Sequence, residues 1–103
     1  MQKSLGEILR EYRKSKGLLI RQVGASLEID PALLSKFETD ARLPTQDQIK
    51  LFSKFYGDTN KTILIAYLSD KVASELENDE IGLKVMQVAE EKIKYKKFKT
   101  KKK

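Results

Sequence analysis

The chain has 103 residues, 40% hydrophobic and 35% charged, with a formal net charge of +6 and neither Cys nor His. A chain of this length makes one ordinary domain, or one small domain with an appendage. Without Cys and His there is no disulfide framework, thiolate metal site, zinc finger, Ser-His triad or cysteine protease, so the composition favours a cytoplasmic binding protein without a cofactor over an enzyme.

No apolar run approaches a membrane span, and Leu5, Ile8 and Leu9 are separated by polar residues, so neither a membrane segment nor a signal peptide is expected. Residues 1–57 hold ten Lys/Arg against seven Asp/Glu, residues 58–91 three against eight, and residues 92–103 eight Lys and no acid. A basic front, an acidic middle and a lysine tail suggest three separate jobs. Because the tail supplies the excess positive charge, the high pI alone does not argue for a nucleic-acid partner.

The first predicted helix starts at Ser4, an N-cap that forms a capping box with Glu7, and buries Leu5, Ile8, Leu9 and Tyr12 before Gly17 ends it. Ile20, Val23, Gly24 and Leu27 repeat that spacing in a second, short helix. Asp30-Pro31 opens a third, with a carboxylate cap followed by Pro at the first helical position, and Leu34 and Phe37 facing inward. Thr45 and Gln48 make another capping box, for a helix burying Ile49, Phe52 and Tyr56 and closed by Gly57. Two more helices are expected beyond it. One runs from about Thr59 to Glu77 with Ile63, Leu64, Tyr67, Leu68, Val72 and Leu76 as its stripe; the other follows an Asn78-Asp79 break and carries Ile81, Val85, Val88, Ala89 and Ile93. From Lys92 the chain is too lysine-rich to bury anything, and a frayed, solvated end is expected, with Tyr95 and Phe98 interrupting the run.

Residues 20–39 carry the functional signal. Two short helices joined only by Glu28-Ile29-Asp30 must cross steeply, which makes a helix-turn-helix, and the second helix can then project into a major groove about 12 Å wide. The string Leu33-Leu34-Ser35-Lys36-Phe37-Glu38, followed by Asp40, Arg42 and Pro44, resembles the lambda-repressor-like, Cro/C1 or Xre-type helix-turn-helix family. Leu18, Val23, Leu27 and Ile29 match its upstream core positions, and the resemblance covers roughly residues 4–57. Four positions depart from the family pattern. Glu28 stands where Gly usually makes the turn, at a cost of about 1 kcal/mol if forced into the left-handed region. Gly24 replaces a packed Ala, Asp40 replaces the Gly after the recognition helix, and Ile20 replaces a phosphate-reaching Gln, leaving Arg21 as its substitute.

The resemblance implies base readout by Pro31, Ala32, Leu33 and Lys36, and backbone contacts by Arg21, Ser35, Thr39 and Arg42. Among the four readout positions only Lys36 is a clear hydrogen-bond donor, suited to guanine or phosphate; the other three can only touch thymine methyls, and Leu33 could equally belong to the core. Direct readout is therefore sparse, and specificity should lean on DNA shape and paired half-sites. Glu38 is expected to pair within the fold. Asp79-Glu80 and Glu90-Glu91 are adjacent rather than same-face carboxylates, so neither catalysis nor a metal site is expected, and no small-molecule ligand is evident.

The expected fold is all-α. A lambda-repressor-like helix-turn-helix domain spans residues 1–68, a helical dimerisation extension 69–91, and a lysine-rich tail 92–103. The expected function is sequence-specific binding of a double-stranded DNA operator as a homodimer, as a transcriptional regulator of the repressor kind, with basic side chains and helix N-termini on phosphates. Leu64, Leu68, Ile81, Val85 and Val88 are the expected dimer interface, because the acidic segment is repelled by DNA and carries two apolar stripes. The alternative is an antitoxin or protein-interaction module that uses the helix-turn-helix scaffold mainly to bind a protein. The tail serves either as a phosphate-seeking arm or as solubilising charge.

Overall fold

The computed structural model describes residues 3–101, so Lys102 and Lys103 of the expected tail lie outside the described residues. Six helices follow one another: α1 (Leu5–Ser15), α2 (Ile20–Leu27), α3 (Pro31–Glu38), α4 (Gln46–Tyr56), α5 (Thr62–Leu76) and α6 (Gly82–Lys101). The described residues contain no strand, and no helix among them is long and apolar enough to cross a membrane. The chain divides into two compact units, Met1–Lys71 and Val72–Lys103, with α5 running across the division.

In the first unit the start of α1 is satisfied bond by bond. A helix leaves its first four N–H groups without intrahelical partners. Here the N–H of Leu5 donates to Asp70 Oδ2 (3.0 Å), that of Gly6 to Asp40 Oδ1 (2.9 Å) and that of Glu7 to Ser4 Oγ (3.2 Å). Glu7 returns the capping-box bond to the Ser4 N–H at 3.1 Å. Thr45 and Gln48 form the same reciprocal box on α4. Two carboxylates from distant parts of the chain thus sit where the α1 dipole favours negative charge.

The core is built from the inward stripes of these helices. Leu5, Leu9, Val23, Leu34, Ile49, Phe52 and Ile63 are fully enclosed. Tyr12 stacks on Tyr56 with ring centroids 5.4 Å apart, Phe52 stacks on Tyr56 at 6.3 Å, and Phe37 meets Phe52 edge-on at 6.1 Å. Phe37 fastens the recognition helix to this aromatic ladder, and burial of such rings is worth about 1.5–3 kcal/mol each.

Helix α5 starts three residues later than expected, because the chain makes a capped turn first. Lys61 adopts a left-handed φ of +57°, and Asp58 Oδ2 accepts from the Ile63 N–H at 2.7 Å while its Oδ1 accepts from the Tyr12 hydroxyl at 2.8 Å. Ile63, Ala66 and Tyr67 face the core, whereas Leu68 and Val72 of the expected stripe are exposed.

In the second unit the end of α5 and the start of α6 are joined by a tight turn. Asp79 N–H donates to Leu76 O, Gly82 N–H donates to Asp79 O, and Asp79 Oδ1 accepts from the Ile81 N–H at 3.0 Å. The expected break and cap at Asn78-Asp79 are thus where the turn lies. The frayed end is not: α6 continues unbroken past Lys92 to Lys101. Lysine is a good helix former, and once α6 is nucleated each added residue gains a backbone bond. The side chains from Lys92 to Lys99 are exposed, as their composition requires.

Candidate nucleic-acid interface

The helix-turn-helix closes on backbone rather than side-chain contacts. Ile29 N–H donates to Gly24 O at 2.9 Å, which ends α2 and sends the chain toward α3. Glu28 takes a left-handed conformation to do so, with φ +56° and ψ +42°. A Cβ on Gly24 would stand 2.7 Å from Ile29 O, closer than real Cβ contacts come, so the usual Ala has no room in this tightly closed turn.

Helix α3 is capped by its own neighbour. Asp30 Oδ1 accepts from the Ala32 N–H at 2.8 Å, and Pro31 occupies the first helical position. The N-cap carboxylate expected at Asp30 is therefore in place. The α3 N-terminus already holds a carboxylate, with the exposed Glu28 close by in sequence. Helix α2 differs, because its cap is Leu19, which offers no side-chain acceptor, and Gln22 Oε1 accepts only the Leu19 N–H at 2.7 Å.

The far end of α3 is pinned to α1. Arg13 Nε and Nη2 donate to the two carboxylate oxygens of Glu38 at 2.8 and 2.9 Å, and Arg13 Nη1 donates to Leu18 O at 2.9 Å. Both side chains are largely buried, and the paired carboxylate raises the Arg13 pKa against the opposing effect of burial. Two residues on, Asp40 adopts a φ of +62° and reaches the start of α1, accepting from Gly6 N–H and, at 2.6 Å, from Ser4 Oγ. Gly6 has to be a glycine here, since a Cβ would lie 2.6 Å from Glu38 O. The recognition helix is therefore held at its C-terminal end by an ion pair and a carboxylate clamp, and along its inner face by Leu34 and Phe37.

The outward face carries the expected contact residues. Pro31, Ala32, Ser35 and Lys36 of α3 are exposed, as are Arg21 on α2 and Thr39 and Arg42 beyond α3. Leu33 is half-buried and packs against the core, so only part of it is presented outward. The Thr39 hydroxyl donates back to Ser35 O and Lys36 O at 3.1 and 3.3 Å and must rotate to donate to a phosphate. Of the expected dimer residues, Leu64 is half-buried against the first unit's core, which leaves little of it for a partner. Leu68 is exposed in the first unit; Ile81 and Val85 are exposed and Val88 is half-buried in the second.

Arg13, Asp40, Asp58 and Asp70 were not anticipated. All four act through hydrogen bonds to residues five to 65 positions away, which no local spacing encodes. The one available signal was Asp40, a residue tolerant of the left-handed region standing where the family pattern has Gly.

A family model described as helix-turn-helix matches residues 9–63, just over half of the chain, and spans α2, the turn and α3 entirely. No curated protein and no solved structure matches the chain. The match and the geometry of the α2–α3 unit agree: the chain belongs to the Cro/C1-type, Xre-like helix-turn-helix family of DNA-binding regulators.

Proposed function

We propose that the protein is a repressor that binds a specific double-stranded DNA operator as a homodimer, with α3 in the major groove. The observation that carries this is the outward face of α3. Lys36 stands beside the apolar, side-chain-donor-free Pro31 and Ala32, and Arg21 and Arg42 lie on the elements before and after. Lys36 reads guanine O6 or N7, Pro31 and Ala32 pack on thymine methyls, and Arg21, Ser35, Thr39 and Arg42 position the backbone. So few donors read too little to locate one site in a genome. Two copies related by a two-fold axis double the contacts and place two recognition helices about 34 Å apart on one face of the duplex. The first unit binds DNA, and the second, through Ile81, Val85 and Val88, pairs the chains. Repression then follows from occlusion, and a DNA-bound regulator works in the cytoplasm on the nucleoid.

The test is selection of binding sites from random duplexes, followed by a salt series on the selected site. The expected products are two-fold-related half-sites, bound with an affinity that falls steeply with salt. The rival is a protein-interaction module. What favours it is the acidic start of the recognition helix, where Glu28 and Asp30 would face phosphates. Failure to enrich any sequence, together with salt-insensitive binding, would decide for that rival.

A further inference from the structure

We propose that α6 pairs antiparallel with α6 of a second copy, crossing near Val88, so that the lysine-rich end of each chain lies along the acidic segment of the other. This rests on the homodimer proposed above and specifies its geometry.

Helix α6 is 20 residues long, or about 30 Å, and most of its large apolar side chains are exposed, with Val88 half-buried. Leu83 is 89% exposed, Tyr95 64% and Ile81 60%. Ile81, whose carbonyl accepts from Val85 N–H, begins a seam that continues at Val85, Val88 and Tyr95 in steps of four, three and seven residues. That is the spacing of one side of a two-stranded helical pair, with Lys92 at the single polar seam position.

Charge decides the orientation. Residues 75–80 carry Glu75, Glu77, Asp79 and Glu80, whereas residues 92–103 carry eight Lys and no acid. A parallel pair would set the two lysine runs against each other, and like charges side by side oppose association. An antiparallel pair sets each lysine run against the other copy's Glu75–Glu80. The flank of the seam agrees. With the crossing near Val88, Ile81 of one copy meets Tyr95 of the second, and Lys84 of one meets Glu91 of the second, twice by symmetry. Lys84 and Glu91 are both exposed, and Lys84 Nζ reaches Gln87 Oε1 at a long 3.5 Å. The lysine tail thus has an acidic partner in the dimer itself, which gives it a role other than seeking phosphate.

The chain contains no Cys, so an introduced thiol is unique. Full-length I81C, Y95C and V88C variants are oxidised singly and in pairwise mixtures, beside sedimentation of the wild type at micromolar concentration. V88C is expected to cross-link to itself. I81C and Y95C are expected to cross-link to each other in the mixture and much less to themselves. Self-linking of I81C and of Y95C, with no mixed product, would establish a parallel pair and overturn the proposal. A wild type that sediments as a dimer while none of the three positions links would place the interface elsewhere and also overturn it. A wild type that sediments as a monomer would remove the homodimer reading itself, a different failure. Charge reversal is the second arm: E91K should weaken dimerisation about tenfold, and adding K84E should restore it. No rescue by K84E would dismiss the Lys84–Glu91 register.

Discussion

Arg13 and Glu38 meet through two parallel hydrogen bonds of 2.8 and 2.9 Å in a largely buried site, joining the last turn of α1 to the last residue of α3. The bidentate geometry is the strong form of an Arg–carboxylate pair. Because the pair is enclosed, removing one partner strands the other's charge, and the recognition helix loses its C-terminal anchor. Glu38→Ala and Arg13→Ala should each destabilise the fold by about 3–5 kcal/mol, with the double variant costing much less than the sum. Urea denaturation of the three variants checks this. Additive losses would show that the two residues act independently.

Two left-handed acidic residues should respond oppositely to glycine. Glu28 pays conformational strain at φ +56° and shows no clamp contact, so Glu28→Gly should stabilise by about 0.5 kcal/mol after the extra chain entropy of Gly is subtracted. Asp40 has the same backbone strain, but its carboxylate holds Gly6 N–H and Ser4 Oγ. Asp40→Gly should therefore destabilise, by about 1–2 kcal/mol. Thermal unfolding of the two variants side by side gives the signs. The same sign in both would mean that the Asp40 clamp contributes nothing.

Tyr56 is a buried hydroxyl with no hydrogen-bond partner among the described residues, and burial pushes its pKa from 10.0 up to about 12. A phenol whose folded pKa is raised contributes stability that is complete below pH 10 and is lost as the pH climbs toward 12. Tyr56 should therefore ionise near pH 12 in an ultraviolet titration, with unfolding beginning as it does. Tyr56→Phe removes the orphaned hydroxyl and should stabilise the protein at neutral pH by about 1 kcal/mol while flattening the alkaline loss. An unchanged alkaline limb in Tyr56→Phe would assign that loss to another group; Tyr12, also raised, through its bond to Asp58, would be the next to replace.

On DNA, the two outward cations should separate by role. Lys36→Ala should weaken binding to a selected site by about 1–3 kcal/mol and relax preference at one base pair, whereas Arg42→Ala should weaken all duplexes about equally and make the salt slope shallower. Competition binding against a panel of single-base variants measures both effects. If Lys36→Ala leaves the base preferences intact, α3 sits in the groove in a different register.

Helix starts and the inward stripe were legible in the sequence because each is encoded within one or two turns. Ser4 with Glu7, Asp30 with Pro31, Thr45 with Gln48, and the buried Leu34, Phe37, Ile49, Phe52 and Tyr56 all read directly from spacing. The family was legible from the string at residues 33–38 with Asp40, Arg42 and Pro44 for the same reason, since these positions lie within one short helix and the few residues after it. What the tertiary structure decided are the contacts across distance. Nothing near Asp40, Asp58 or Asp70 in sequence announces that each would satisfy a helix N-terminus or a hydroxyl on another element. Whether Leu33 and Leu64 turn inward depends on what packs beside their helices. The continuation of α6 past Lys92 was missed because lysine richness argues against burial, not against a helix, and a helix needs only its own backbone bonds to continue.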